Sequence, residues 1–509
     1  MSKRYNQLDA ERQVFLERAR EASKLTLPMV IRDQGHTYAT TYEVPYQSVG
    51  SRGISALSSN LLLSLFPAGV PFFRLLVSES DFEEFGEEAD QIQSEVNDSL
   101  SNIERTVLEE IEGKNLRSTI FEALKNLLIS GNSLVYVQED GNIRNYTLED
   151  YVVNRDVSGD VTDIIIKESI SQRILKTLDI AESLPSDIND IDGEEGKDKD
   201  VDLYTCIELQ EDGTYAVWQE IKGEKIPDTD EIYEKGDLPW LALRLTSVTG
   251  ESYGRGYVEG IIGDLKSLEG LSKAIFEAAA ISAKTIFFVN PGTTTRAKDV
   301  SEAANGDVIN GDSNDVSVLN VGKGGDLTVA LRAAEMIEQR LSFSFNLLDA
   351  TLPTKGQTTA YEVSQIVNSL EKVLAGVYAM LSSEFMQPLV GLIIKRLEQE
   401  EKVPAIPEQV KLIISTGLTA LGRSSDIERL MQFSQIGAQI SPEGYAALVD
   451  QEKLMRDLEA AIGVDVLKSP ETLQAEQEAF RKQQEDEQQR ILAEQALQNG
   501  AISPEQEQQ

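Results

Sequence analysis

Apolar residues between positions 5 and 27 recur three and four apart, which predicts a helix that ends before Pro28. A second, packed helix is expected over 47–66, "QSVGSRGISALSSNLLLSLF". "PFFRLLV" then has strand character, and 88–130 returns to helical spacing. "NSLVYVQEDGNIRNY" reads as a hairpin that turns at Asp140-Gly141. Further strands are expected at Val161 to Ile166, Val201 to Leu209 and Thr214 to Ile221, the last two joined at Asp212-Gly213.

The second half is dominated by long helical patterns. From Gly256 to Lys284 one face carries Ile261, Leu265, Leu268, Ser272, Ile275 and Ala279. Such a helix would be ~40 Å long at 1.5 Å per residue. A small strand-and-turn insert follows, Thr285 to Thr328. The chain returns in a helix from Val329 to Leu348, with Ala334, Ile337, Leu341, Phe345 and Leu348 on one face. After a polar loop, a helix from Thr359 to about Glu400 buries Val363, Ile366, Leu370, Val373, Val377, Leu381 and Phe385. Pro388 lacks an N–H and should kink or break it. "VKLIIST" is a last strand, and the chain from Asp426 onward is helical in pattern. Its stretch Gln474 to Gln498 is dominated by Glu and Gln, as in a solvated helix or a frayed tail. The class is mainly α with α+β portions.

Composition narrows the function. The chain has 509 residues and a formal net charge of -39, from 86 acidic and 47 basic side chains. Proteins that grip nucleic acid cluster Lys and Arg against phosphates, and no such cluster occurs here. An acidic wall beside DNA favours passage over capture. Ser183 to Asp202 is acidic and poor in apolar residues, which predicts a flexible insert. Its carboxylates miss the EF-hand register and the final Glu. Cys206 and His36 are single, so one chain can form neither a disulfide nor a Cys/His zinc site. Cys206 sits in an alternating strand pattern and reads as a buried inert thiol, His36 as a surface turn residue. The charged N-terminus does not read as a signal peptide. Leu61 to Phe73, "LLLSLFPAGVPFF", is too short to span a bilayer and reads as core.

Two loops raise the question of nucleotide chemistry. "LLDATLPTKGQTTAYEVSQIV" places Lys355 before Gly356, the reverse of a Walker A loop, and follows a helix where that motif needs a strand. Thr359 and Glu362 fit a helix-starting capping box instead. "GKGGD" lacks the full dinucleotide fingerprint and reads as a plain turn. No catalytic domain, metal or cofactor is implied. A nucleotide-dependent enzyme would need the missing Walker order. A structural scaffold or coiled-coil adaptor would suit the Glu/Gln-rich tail but not the strand-rich first half.

An ordered set of segments carries a more specific signal. "VGSRGISALSSNLLLSLFPAGVPFFRL", "GNSLVYV", "SYGRGYVEGIIGDLKSLEGLSK", "FVNPGTTTRAKDVSEAANGDVINGDSNDVSVL" and "QTTAYEV" follow one another between Val49 and Val363. Together they resemble the portal, or head-to-tail connector, proteins of short-tailed phages of the autographivirus type. The resemblance implies a ring of about twelve copies at one capsid vertex of the virion, assembled in the host cytoplasm. Double-stranded DNA would pass through it without sequence specificity during packaging and ejection.

The same resemblance implies a domain plan. Residues 1–256 would form the wing, with the flexible acidic insert at 183–202. Residues 257–284 and 329–348 would be the stem helices and 285–328 the clip. The tunnel loop would span 349–358, the kinked helix and returning wing 359–423, and the crown and tail 424–509. Thr354, Lys355, Gly356 and Gln357 would project into the channel. Asn290, Thr293, Thr294, Arg296, Asn305, Asp307 and Asn310 would meet tail adaptor or tube proteins and, during packaging, the terminase. Major capsid, scaffolding and internal core proteins complete the implied partners, with no membrane. Lys355 is the one cation of the loop. Repeated around a ring it would brush phosphates and damp backward slippage, or else only solubilise the loop.

Overall fold

The computed structural model describes residues 2–35, 40–67, 72–77, 89–175, 200–282, 287–318, 324–345, 347, 376–406 and 410–414, with a few more between 434 and 455. The chain divides into two units, Met1–Ala420 and Leu421–Gln509. The core and the sheets around it belong to the first unit. His36, the tunnel-loop residues, 359–375 and nearly all of the acidic insert lie outside the described residues, as does almost all of the chain beyond 414.

The apolar run of the second predicted helix builds the core. Helix α1 spans Ser2–Lys24 and α2 spans Val49–Leu65. Leu57, Leu61, Leu65 and Phe66 are fully buried. They join Ile120, Leu124, Leu127 and Leu128 of α4 (Leu116–Ser130) in one large cluster. Phe66 packs edge-on to Phe72 and Phe385, with ring centroids 4.9 and 5.6 Å away. Such contacts add to simple area burial. The expected helix over 88–130 is two helices, α3 (Ala89–Gly113) and α4. Asn115 sits between them at φ 52, in the left-handed region that Asn tolerates.

The strands follow the hairpin pattern and add to it. β1 (Phe73–Val77) pairs antiparallel with β13 (Val410–Ile414), tying two distant segments together. β2 (Asn132–Val137) and β3 (Ile143–Tyr146) form the expected hairpin, with Gly141 at φ +78 in its turn. β10 (Trp240–Arg244) completes that three-stranded sheet. A larger sheet runs β4-β5-β6-β7-β8, with β9 paired to β7. Its strands are Tyr151–Arg155, Val161–Ser171, Asp200–Leu209, Tyr215–Ile221, Glu224–Lys225 and Glu231–Tyr233. Asp200 to Asp202 therefore belong to a strand, not to the flexible insert. Backbone pairing of Asp202 with Ser169 and of Asp200 with Ser171 overrides their polar composition. Cys206, on β6, is fully buried, and burial pushes its thiol up to about 12.

Two long helices extend from this body. α5 is the short turn Gln172–Leu175. A 3₁₀ turn, Val258–Ile261, leads into α6, Ile262–Ser282. The insert holds β11 (Phe287–Val289), a short helix α7 (Ala297–Glu302) that the periodicity did not reveal, and β12 (Val316–Val318). α8 returns over Gly324–Ser344, starting earlier than the expected Val329. The expected insert thus loses residues 324–328 to the helix.

Pro388 does not break its helix, which runs on from Gly376 to Gln399. A π turn, Ser382–Met386, precedes α9 (Gln387–Gln399), and the Gln387 N–H bonds the Ser382 carbonyl. The wide turn accommodates a proline that cannot donate. Residues Gly376–Gln399 are long and apolar enough to cross a membrane, yet half of that stretch is buried in the protein. Leu381, Phe385, Met386, Leu389 and Val390 are fully buried, which makes it a core helix.

Candidate docking surface on the helical hairpin

Two glycine-bearing segments, one after α4 and one before the first long helix, build the root of the hairpin. Gly131 follows α4 at φ +77, and a Cβ there would lie 2.4 Å from the backbone carbon of Arg255. Gly254 and Gly256 approach equally closely, with Cβ positions 2.5 Å from the carbonyl oxygens of Gly131 and Ile129. Asn132 locks the crossing. Its amide oxygen accepts the Gly254 N–H at 2.7 Å, and its Nδ2 donates to the Gly254 and Ser130 carbonyls. "GNSLVYV" and "SYGRGYVEG" are therefore one structural feature.

Arg255 fixes the start of the first long helix from the outside. Its guanidinium pairs with Glu251, and with Glu259 at 2.6 Å. The hydrogen bond to Glu251 raises the Arg255 pKa, burial opposing it. The same bond holds the Glu251 carboxyl below its ordinary range.

The two helices pack antiparallel. Tyr257 donates to the Ser344 carbonyl at 2.6 Å, and Arg340 donates to Asp264 at 2.7 Å. Phe345 is buried against Gly53, where a Cβ would sit 2.3 Å from the ring. Any side chain at 53 would displace the second helix from α2. The Glu269 carboxylate accepts the N–H groups of Tyr46 and Gln47 at 3.0 and 3.1 Å. Leu265, Leu268, Leu341 and Phe345 are buried as expected, whereas Ile275 is only half-buried and Ala279 exposed. Leu348 lies outside the described residues.

The insert at the far end is a small exposed platform. β11 and β12 pair through Phe287 with Val318 and Val289 with Val316. Asn290, Thr293, Thr294, Arg296, Asn305, Asp307 and Asn310 are all exposed. They share one insert, spread over its exposed surface. Thr293 donates to the Asn290 carbonyl at 2.9 Å, and the Asp307 carboxylate accepts the Ala304 N–H at 2.6 Å. Arg296 precedes α7 and makes no side-chain capping bond.

Two features of this platform escaped the sequence. Thr295 is buried, accepts the Asp312 N–H at 2.9 Å and donates to Asp315 Oδ2 at 2.9 Å. Nothing in the "TTT" run distinguishes it from its neighbours. Val308 is 99% exposed, and Phe287 and Phe288 are 54% exposed. Large apolar groups so displayed mark contact surfaces when they gather in one place. Among the described residues no group of His, Cys, Asp and Glu is placed to hold a metal.

Comparison with known proteins gives the family. The description "Bacteriophage head to tail connecting protein" matches residues 1–466. The chain belongs to that connector family. The portal protein of Escherichia phage T7 is 35% identical over 468 residues, covering 91% of this chain and 86% of its own. That of Enterobacteria phage T3 is 34% identical over 467 residues, with the same coverage. That of Enterobacteria phage SP6 is 28% identical over 440 residues, covering 85% of this chain and 82% of its own. The connector family match thus spans all of the first unit, the hairpin and its insert included.

Proposed function

We propose that this head-to-tail connector works as a portal subunit: copies close into a ring around a DNA channel at one capsid vertex. The connector role itself follows from family membership. The observation that carries the finer reading is the hairpin. Two antiparallel helices hold an exposed apolar insert away from a large mixed body. In a ring, the hairpins would form a stem and the inserts a continuous clip for tail adaptor proteins and the terminase. Residues 1–256 would be the wing, 349–358 the tunnel loop and 424–509 the crown. Lys355 would brush DNA phosphates from that loop.

Several features support this assignment. The insert carries its own two-stranded sheet and its own buried pin, Thr295, so it can keep its shape at the end of two helices. Its surface mixes apolar and acidic groups, as a rim-and-core protein interface does. The relatives from phages T7 and T3 are named portal proteins, which fits a chain that works by assembling.

Electron-microscope class averages of the purified protein, with native mass alongside, test the ring. Closed rings of about twelve copies with a central hole are expected, and elongated rods would overturn the reading. Thr295→Ala tests the clip. It should release the Asp312–Asp315 turn, abolish adaptor binding to assembled rings and leave ring formation intact. Unchanged adaptor binding would remove the insert from the docking surface.

A further inference from the structure

The long hairpin carries two exposed stripes that match each other in height. On α8, Val329, Met336 and Phe343 are 69%, 68% and 70% exposed. They lie seven residues apart, so they form one line along the helix, each step ~10.5 Å long. Single exposed apolar residues need no explanation, but a straight line of three large ones does. On α6 and its leading turn one exposed line is small, Gly260, Gly263, Ser267, Gly270 and Ala274, while Lys266, Lys273 and Phe276 lie exposed to one side of it. A Cβ at Gly260, Gly263 or Gly270 would meet nothing within 4 Å, so this stripe is an open groove. Both stripes lie away from the faces that Leu265, Leu268, Leu341 and Phe345 bury.

Their levels coincide. Arg340 meets Asp264, and Tyr257 meets Ser344, which sets the antiparallel register. Counting from these contacts, Phe343 stands level with Gly260, Met336 with Ser267 and Val329 with Ala274, within about two residues or ~3 Å. A rotation leaves height along its own axis unchanged. Copies arranged around an axis that runs along the hairpin would therefore bring each large side chain of one copy to a small residue of the next. Glu335, beside the large stripe, would come level with Lys266, which pairs with Glu21 of its own copy and could be shared between the two carboxylates.

We propose that the α8 stripe Val329–Met336–Phe343 of one copy seats in the α6 groove Gly260–Ser267–Ala274 of a second copy of this chain. This rests on the ring reading and gives it a register. The contact is heterologous: one face of the hairpin meets a different face of the neighbour, so it can propagate around a ring. Large knobs over small residues let two helices approach to the near end of the 8–10 Å packing range.

Thiol cross-linking tests the register, because the chain's one cysteine, Cys206, is buried. Ser267→Cys and Met336→Cys subunits are co-expressed, purified and oxidised. A cross-linked dimer is expected from the mixture and from neither variant alone. The double variant should give a ladder ending at the ring's subunit number. Met336→Cys combined with Ala280→Cys, displaced by ~20 Å along the helix, should stay monomeric on a denaturing gel. Rings by electron microscopy without the mixed dimer, or with equal linking of the displaced pair, would overturn the interface and leave the ring reading standing. Neither rings of the unmodified chain nor mixed dimers would overturn both. Met336→Arg supplies a second readout: ring assembly lost, with the thermal unfolding of the subunit unchanged. Intact Met336→Arg rings would also overturn the interface.

Discussion

The crossing of Gly131 with Gly254 and Gly256 shows how single residues position the hairpin. Gly131 needs both a left-handed backbone and room for a neighbouring main chain. An L side chain there meets two costs at once, ~1–2 kcal/mol for the left-handed conformation and ~1–3 kcal/mol for the overlap. Gly131→Ala should therefore destabilise the first unit by roughly 2–4 kcal/mol, read as a lowered denaturant midpoint with an unchanged slope. A midpoint within error of the parent would show that the crossing relaxes freely. The sequence displayed these glycines but not their partnership. They are far apart in the chain, and no local pattern records which backbone passes over which. Thr295 was hidden for the same reason, since its two Asp-turn contacts are tertiary. Cys206 is buried as expected, but alternation puts it on the face of Asp202 and Glu208, and it is Tyr5 and Leu8 of α1 that cover it there.

At the scale of elements, periodicity located the helices and failed at their joints. It merged α3 with α4, although the buried stripe of Ile103, Val107 and Ile111 shifts to another face at Leu116 and Ile120, across the left-handed Asn115. It also expected a kink or break at Pro388, where the helix continues unbroken and a π turn takes up the missing donor. That turn has a use: it aims Glu384 at Arg244, which donates from its backbone N and from Nε, both at 3.2 Å. β4 and β10 were not expected, being short runs whose partners lie elsewhere in the chain. The joint between α3 and α9 makes a pH prediction. Burial alone would raise the Glu110 carboxyl. The hydrogen bond from Arg396, joined by Lys114, outweighs it and holds the group below its ordinary 4.5. A depressed folded value gives stability that is fully present above 4.5 and is lost as pH falls through the folded value. Thermal midpoints should thus decline below pH 4.5, and Glu110→Gln should be less stable at neutral pH with a shallower decline in acid. An equally steep decline in the variant would assign acid sensitivity to other carboxylates.

The whole molecule is read best through its charge. Each copy contributes -39, so repulsion between copies grows with every subunit added to an assembly. In the proposed ring, apolar contacts between copies would have to outweigh that repulsion, and salt should help them by screening it over about 10 Å at 0.1 M. Assembly and DNA affinity should then respond to salt in opposite directions. Assembly should strengthen from low to physiological ionic strength. Duplex DNA, which binds through released counterions, should bind weakly throughout and lose what affinity it has. The measurement is a salt series on one preparation, with native mass for assembly and fluorescence anisotropy of a short labelled duplex for binding. Negligible duplex retention is expected at about 0.15 M salt. Submicromolar binding that falls steeply with salt would reveal a basic track of several contacts, and the proposed channel would then grip DNA instead of letting it pass.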